Sequence, residues 1–181
     1  MKIIRDSEFI RGDIPMTKFV TRAVVMGLLQ PGENDLLIDV GAGTGSVSVQ
    51  AAIHGARVVA IEREKSGVEL IERNMERFNA DIRLIQGEAP YNLPEQVVDK
   101  CFIGGSGGHL DQIFEYLDRN LKEDGILCAT FITLTNLNRF MDLLKLHRYK
   151  EVESHMIQAS DINNDRMLRG NNPIFIVKGV K

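Results

Sequence analysis

The sequence has little of what marks secreted, membrane-bound or nucleic-acid-bound proteins. Its 181 residues include only two cysteines, Cys101 and Cys128, each inside an apolar run and without the spacing of a disulfide framework or a metal knuckle. Both are expected to be buried free thiols. The longest nearly apolar stretch, Ala23 to Leu29, falls far short of the roughly 18–20 residues of a membrane span. The N-terminus opens with mixed charge where a leader would be apolar, so the expected setting is the cytoplasm, away from membranes. Lys and Arg number 22 against 25 Asp and Glu, a formal net charge of −3, so the chain lacks the positive field of a protein that lives on phosphate backbones. There is no H-E-x-x-H, no G-x-S-x-G and no Cys/His ligand spacing, and the histidines His54, His109, His147 and His155 are scattered. No metal site and no recognisable acid–base pair is expected.

What is present is an ordinary globular composition, 44% hydrophobic and 26% charged, in a length suited to one domain spanning residues 1–181. From Leu36 onward, short continuous apolar runs alternate with longer helical patterns, the signature of an α/β sheet covered on both faces. The runs predict strands at Leu36–Val40, Val58–Glu62, Asp81–Gln86, Asp99–Ile103 and Gly125–Ile132, then near Glu151–Ile157 and Ile174–Lys178. Helices are predicted over Thr17–Leu29, Glu64–Phe78 (Val68, Ile71, Met75 and Phe78 on one face) and Thr135–Arg148 (Leu137, Phe140, Met141 and Leu144). The last two strands are separated only by the polar stretch 158–172, too poor in helical pattern for a crossover, so they should pair antiparallel. Residues 1–16 read as a polar arm or lid. The expectation is a Rossmann-like, mostly parallel seven-stranded sheet closed by an antiparallel terminal hairpin, with helices on both faces.

The first strand runs through Asp39 and Val40 into Gly41-Ala42-Gly43-Thr44-Gly45 and then a helical stretch. Glycines there let the backbone approach a ligand closely. Glu62, at the end of the second strand, suits a ribose, because two carboxylate oxygens can accept from two vicinal hydroxyls. The spacing is G-x-G-x-G, with Ser46 where the dinucleotide fingerprint G-x-G-x-x-G needs glycine, which favours S-adenosylmethionine. Asp39 points the same way, since a carboxylate beside the loop repels a pyrophosphate and attracts a methionine ammonium. Glu88 and Ala89, after the third strand, are candidates to frame the adenine. After the fourth strand, Gly104-Gly105-Ser106-Gly107-Gly108 opens a side-chain-poor wall against which a large flat ligand could lie, with His109 at its border.

The segment Phe9–Lys18, the Asp39–Gly45 loop, Gly87-Glu88-Ala89-Pro90, the Ile103–Gly108 run and the terminal Asn172–Val177 together resemble the decarboxylating precorrin methyltransferases of cobalamin biosynthesis over nearly the whole chain. The resemblance implies the class I methyltransferase fold and methylation of carbon 15 of a precorrin or cobalt-precorrin, with loss of the ring C acetate as carbon dioxide. It also implies cofactor contacts at Thr17, the Gly41–Gly45 loop, Glu62 and Ala89, and a homotetramer. A chain without a fused second methyltransferase leans toward the cobalt-containing substrate. Glu88 departs from the more usual Asp.

Such a substrate carries many carboxylates, and two cationic clusters could meet them: Arg5, Arg11, Lys18 and Arg22 on the arm and first helix, and Arg166 and Arg169 in the late polar stretch. Arg11, Lys18, Arg166 and Arg169 are the expected substrate contacts, with Gly104, Gly105, Ser106, Gly107 and His109. Two rivals remain. A methyltransferase acting on RNA or protein would show a basic track or an amide-methylation motif; a noncatalytic nucleoside-binding domain would show a damaged loop or a lost ribose acid.

Overall fold

The computed structural model describes residues 2–162 and 166–181. A short 3-10 turn at Asp6–Glu8 leads into α1 (Phe19–Leu29), β1 (Leu36–Val40), α2 (Ser46–Ile53), β2 (Arg57–Glu62), α3 (Lys65–Phe78), β3 (Ile82–Gln86) and β4 (Val98–Ile103). Then come α4 (Leu110–Asn120), β5 (Leu121–Phe131), α5 (Leu134–Leu146), β6 (Lys150–Ile157), β7 (Ser160–Ile162), β8 (Leu168–Gly170) and β9 (Ile174–Val180). Seven strands form one sheet in the order β3-β2-β1-β4-β5-β9-β6, with β1 to β5 parallel and β9 antiparallel to both its neighbours. The expected antiparallel pair of last strands is present, and β9 lies inside the sheet because it slots between β5 and β6.

The continuous apolar runs are explained by two cores. On one face Ile38, Val40, Ile61 and Ile103 pack with Phe114 of α4 and Phe140, Leu143 and Leu144 of α5. On the other, Leu37, Val58, Ala60 and Phe102 pack with Val25, Met26 and Leu29 of α1 and Val47 and Ala51 of α2. Cys101 and Cys128 are free and buried in these layers, as expected, and burial raises the pKa of both thiols. The sheet order turns at β1: the chain moves outward one way through β2 and β3 and the other way through β4 and β5. The helices after β1 and β4 therefore leave to opposite faces of the sheet, α2 to one and α4 to the other, and open a crevice at the carboxyl ends of the strands.

Two elements differ from the sequence reading. β5 begins at Leu121, ahead of the expected Gly125, because the chain turns extended at the end of α4 and Leu121 pairs with Val98 before the register shifts; the polar Lys122–Asp124 hid this. Within the stretch 158–172, β7 and β8 pair as a small antiparallel hairpin, Ile162 opposite Leu168. All its strand residues are exposed, so no burial pattern betrays it.

The arm is strapped to the body. Ile4 and Phe9 are buried, Phe9 against Phe78 with ring centroids 5.0 Å apart. Asn74 of α3 accepts from Ile10 N and donates to Ile10 O and Thr44 O, tying arm and glycine loop to one side chain. Arg22, an expected member of a substrate-facing cluster, is instead fully buried. Its Nη1 donates to Thr17 O at 2.6 Å, and its Nη2 to Ile4 O at 2.6 Å and Asp6 Oδ1 at 3.2 Å. Its guanidinium also lies 4.7 Å from the Phe9 ring centroid. Arg22→Met leaves two buried carbonyls without their donor and is expected to cost about 3 kcal/mol of unfolding free energy. Urea denaturation measures it; a loss below about 1 kcal/mol would mean the arm is held by its apolar contacts alone.

Candidate active site

The crevice holds a cavity of about 430 Å³, within the roughly 300–1,000 Å³ usual for small-molecule sites. Its floor is made by two loops in backbone contact. Gly104 N and Gly105 N both donate to Val40 O, at 2.9 and 3.2 Å, while Gly41 N and Ala42 N donate to Ile61 O. Gly41 has φ +68°, and a Cβ there would lie 2.5 Å from Gly105 O. No side chain fits without driving the loops apart. Gly43 meets the arm, where an added Cβ would stand 2.9 Å from Pro15 O, and Gly45 meets Ile71 of α3. The glycine triplet thus packs against three different elements at once.

Glu62 ends β2 at the lip of this floor, 7% exposed. Its Oε2 accepts from Gly43 N at 2.8 Å and its Oε1 from Glu64 N at 2.9 Å, so the carboxylate is oriented by backbone and each oxygen keeps a lone pair free. Gly67 in α3 makes the room: a Cβ on it would be 2.7 Å from Glu62 Cγ.

The expected residues Thr17, Gly41, Ala42, Gly43, Glu62, Glu88, Ala89, Gly104, Gly105, Ser106 and Gly107 all line the cavity. Thr44 and Gly45 lie behind it, as packing positions of the turn. Asp39 is placed differently from expectation. It shares the Leu37 side of β1, beneath α2, is fully buried and lies off the lining. Ser48 Oγ donates to its Oδ2 at 2.5 Å, and Oδ1 has no partner among the described residues. Burial, only partly offset by the Ser48 bonds, pushes its pKa up to about 7.

The expected cationic contacts stand outside the cavity. Arg11, Lys18, Arg166 and Arg169 are exposed and none lines the cavity. Lys18 caps the start of α1, and Arg169 lies in β8 of the hairpin. His109 caps α4 at the rim, off the lining. The cation that does line the cavity is Arg63, next to Glu62 in sequence; that adjacency was the only signal for it. Sequence reasoning also passed over Met16, Phe102 and Thr130, which line the cavity from the arm and the carboxyl ends of β4 and β5.

A mostly parallel sheet of this order, with one antiparallel strand, a glycine turn after β1 and an acid ending β2, has the class I methyltransferase fold. It is shared, at 16% identity and TM-score 0.75, with an O-methyltransferase from Thermotoga maritima that matches 92% of this chain and 66% of that one. Residues 8–181 match the precorrin methyltransferase domain family, and the chain belongs to that family. A relative from Salmonella typhi named cobalt-precorrin-6B C(15)-methyltransferase (decarboxylating) is 35% identical, over 96% of this chain and 94% of its own. One from Sulfurisphaera tokodaii, named as a probable enzyme of the same activity, is 36% identical over 98% and 97%. Among solved structures, a precorrin-6y C5,15-methyltransferase from Geobacter metallireducens superimposes with TM-score 0.93 at 31% identity, covering 99% of this chain and 97% of that one. A precorrin 8w decarboxylase from Methanobacterium thermoautotrophicum gives 0.89 at 30%, covering 97% and 98%.

The buried Asp39 generates a pH dependence. Between its unfolded value of 3.8 and its folded value of about 7, the native state keeps a proton that the unfolded chain has lost. Stability therefore falls as pH rises through that window, by roughly 4 kcal/mol at most, and levels off above it. Asp39→Asn, neutral throughout, is expected to abolish that fall. Urea titrations near pH 5 and pH 8 check it; an equal slope in parent and variant would contradict it.

Proposed function

We propose that the protein transfers a methyl group from S-adenosylmethionine to carbon 15 of a precorrin or cobalt-precorrin macrocycle and releases the ring C acetate as carbon dioxide, in cobalamin biosynthesis. The reaction is the one in the names of the Salmonella and Sulfurisphaera relatives. The observation in this chain that carries the reading is Glu62: a carboxylate aimed by two backbone N–H groups over a glycine floor, with lone pairs left for a ribose.

The residues fit the nucleoside cofactor. Glu62 would hold the ribose hydroxyls, the Ala89 backbone and Glu88 Oε2 the base, and the Gly41–Gly43 turn, with Thr17 above it, the amino-acid end. Bound there, the cofactor supplies an electrophilic methyl group on a sulfonium. Loss of carbon dioxide leaves an electron pair that the conjugated macrocycle delocalises, so the protein need not supply a strong base. The chain's contribution is then to place the two reactants and exclude water, the end of the arm, Ile14 to Thr17, forming one wall.

A homotetramer is part of the proposal. The edge strand β6 exposes Val152 and Met156, and the β7–β8 hairpin exposes Ile162 and Leu168, apolar side chains that association would cover. The cytoplasmic setting is proposed as well; no described helix is long and apolar enough to cross a membrane. Sedimentation equilibrium is expected to give four copies, and a monomer would remove that element.

Incubation with labelled S-adenosylmethionine and macrocycles with and without cobalt, read by mass, is expected to show one methyl gained and one carbon dioxide lost. Methyl transfer to RNA or protein in its place would contradict the reading. Glu62→Ala is expected to weaken S-adenosylhomocysteine binding by about 1.5–3 kcal/mol in calorimetry, the range for a hydrogen bond to a charged group. An unchanged dissociation constant would remove the assignment of Glu62 to the ribose.

A further inference from the structure

A polycarboxylate entering this cavity meets three carboxylates in the lining, Glu62, Glu64 and Glu88, and a single cation, Arg63, among the described residues. The basic pairs on the arm and the late hairpin stand off the lining, so they do not offset that repulsion inside the cleft. We infer that Arg63, with His109 beside it, receives a carboxylate of the macrocyclic substrate at the mouth of the cavity. The inference rests on the tetrapyrrole reading above and assigns to that substrate a residue for one of its acid groups.

Arg63 follows β2, His109 caps α4, and Glu88 stands between them: its Oε1 lies 3.5 Å from Arg63 Nη1 and 3.3 Å from His109 Nε2. Arg63 Nε pairs with Glu64 Oε1 at 3.2 Å, and its Nη2 amine has no protein acceptor among the described residues. Nε and Nη1 face different sides of the guanidinium, so it is held loosely between two carboxylates while Nη2 stays free to donate. Its side chain is 55% exposed, its partners Glu64 and Glu88 58% and 40%, so these are weak, exchangeable pairs and a carboxylate from solution can compete for the same donors. Gly107, at φ +60°, lies against the pair: a Cβ there would sit 3.4 Å from Arg63 Nη1 and 3.3 Å from Glu88 Oε1. Tyr91, 64% exposed, packs nearly perpendicular to the His109 ring with centroids 5.3 Å apart.

The test uses the full chain saturated with S-adenosylhomocysteine. Cobalt-precorrin-6B and its fully esterified form are titrated by visible absorption, and S-adenosylhomocysteine itself is titrated separately by calorimetry. Arg63→Gln is expected to raise the dissociation constant of the acid form at least tenfold while leaving the ester and S-adenosylhomocysteine within about twofold of the parent. Arg63→Lys, which keeps the charge and loses the planar fork, should fall between. Equal binding of the acid form by parent and Arg63→Gln would overturn the inference and leave the tetrapyrrole reading standing. A matching loss of S-adenosylhomocysteine affinity would also overturn it, by assigning Arg63 to the nucleoside. If the parent protein does not bind the acid form, the tetrapyrrole reading fails and the inference with it.

Discussion

The site depends on one steric constraint, the approach of the turn after β1 to the loop after β4. Two donors from Gly104 and Gly105 converge on Val40 O, and Gly41 lies so close to Gly105 that a β-carbon would sit 2.5 Å from its carbonyl oxygen. The closeness lets the crevice at the reversal of strand order have a floor of backbone. Everything else in the site is referenced to that floor: Gly43 N orients Glu62, Pro15 of the arm rests on Gly43, and Asn74 links the turn to the arm through Thr44 O and Ile10. The arm's own anchor, Arg22, holds Thr17 O, so the wall of the cavity and the body of the protein share one buried guanidinium.

The electrostatics divide into groups the backbone stabilises and groups left open. Glu62 is almost buried yet keeps its charge partners as fixed N–H dipoles, which cost no side-chain entropy and leave its lone pairs for a ligand. Asp39, a short distance down the same sheet, is covered by α2 with only Ser48 as partner, and burial drives it toward the neutral form. Two acids that look equivalent along the chain thus differ in role because one ends its strand and the other lies within it. At the rim, Arg63, Glu88 and His109 remain half-open to solvent, where pairing is weak enough to be exchanged.

The sheet, the glycine turn and Glu62 were legible because each leaves a local trace: continuous apolar runs, glycines at a strand end, an acid where the next strand stops. The family was legible for the same reason, through the segments around Pro15, Gly43 and Gly105. The burial of Asp39 was not legible, because spacing gives distance along a strand and not the face, and it falls with Leu37 on the side α2 covers. Charge along the chain carries no direction, so it did not show which cation lines the cavity. Arg22, expected in a substrate-facing cluster, is fully buried where the arm meets α1, and Arg63 was hidden beside the acid that drew attention. Gly67 carried no signal at all, since its effect is to leave room for a residue on another element.

The most direct test of the central claim, that a backbone floor and a backbone-oriented Glu62 form the nucleoside seat, is a crystal structure with S-adenosylhomocysteine. The account expects the ribose hydroxyls on Glu62, the base beside Ala89 and the amino-acid end over Gly41–Gly43, with Gly104 and Gly105 still bonded to Val40 O and Asp39 still buried away from the ligand. A ligand bound elsewhere, or a Glu62 carboxylate turned away from both Gly43 N and the ribose, would contradict it.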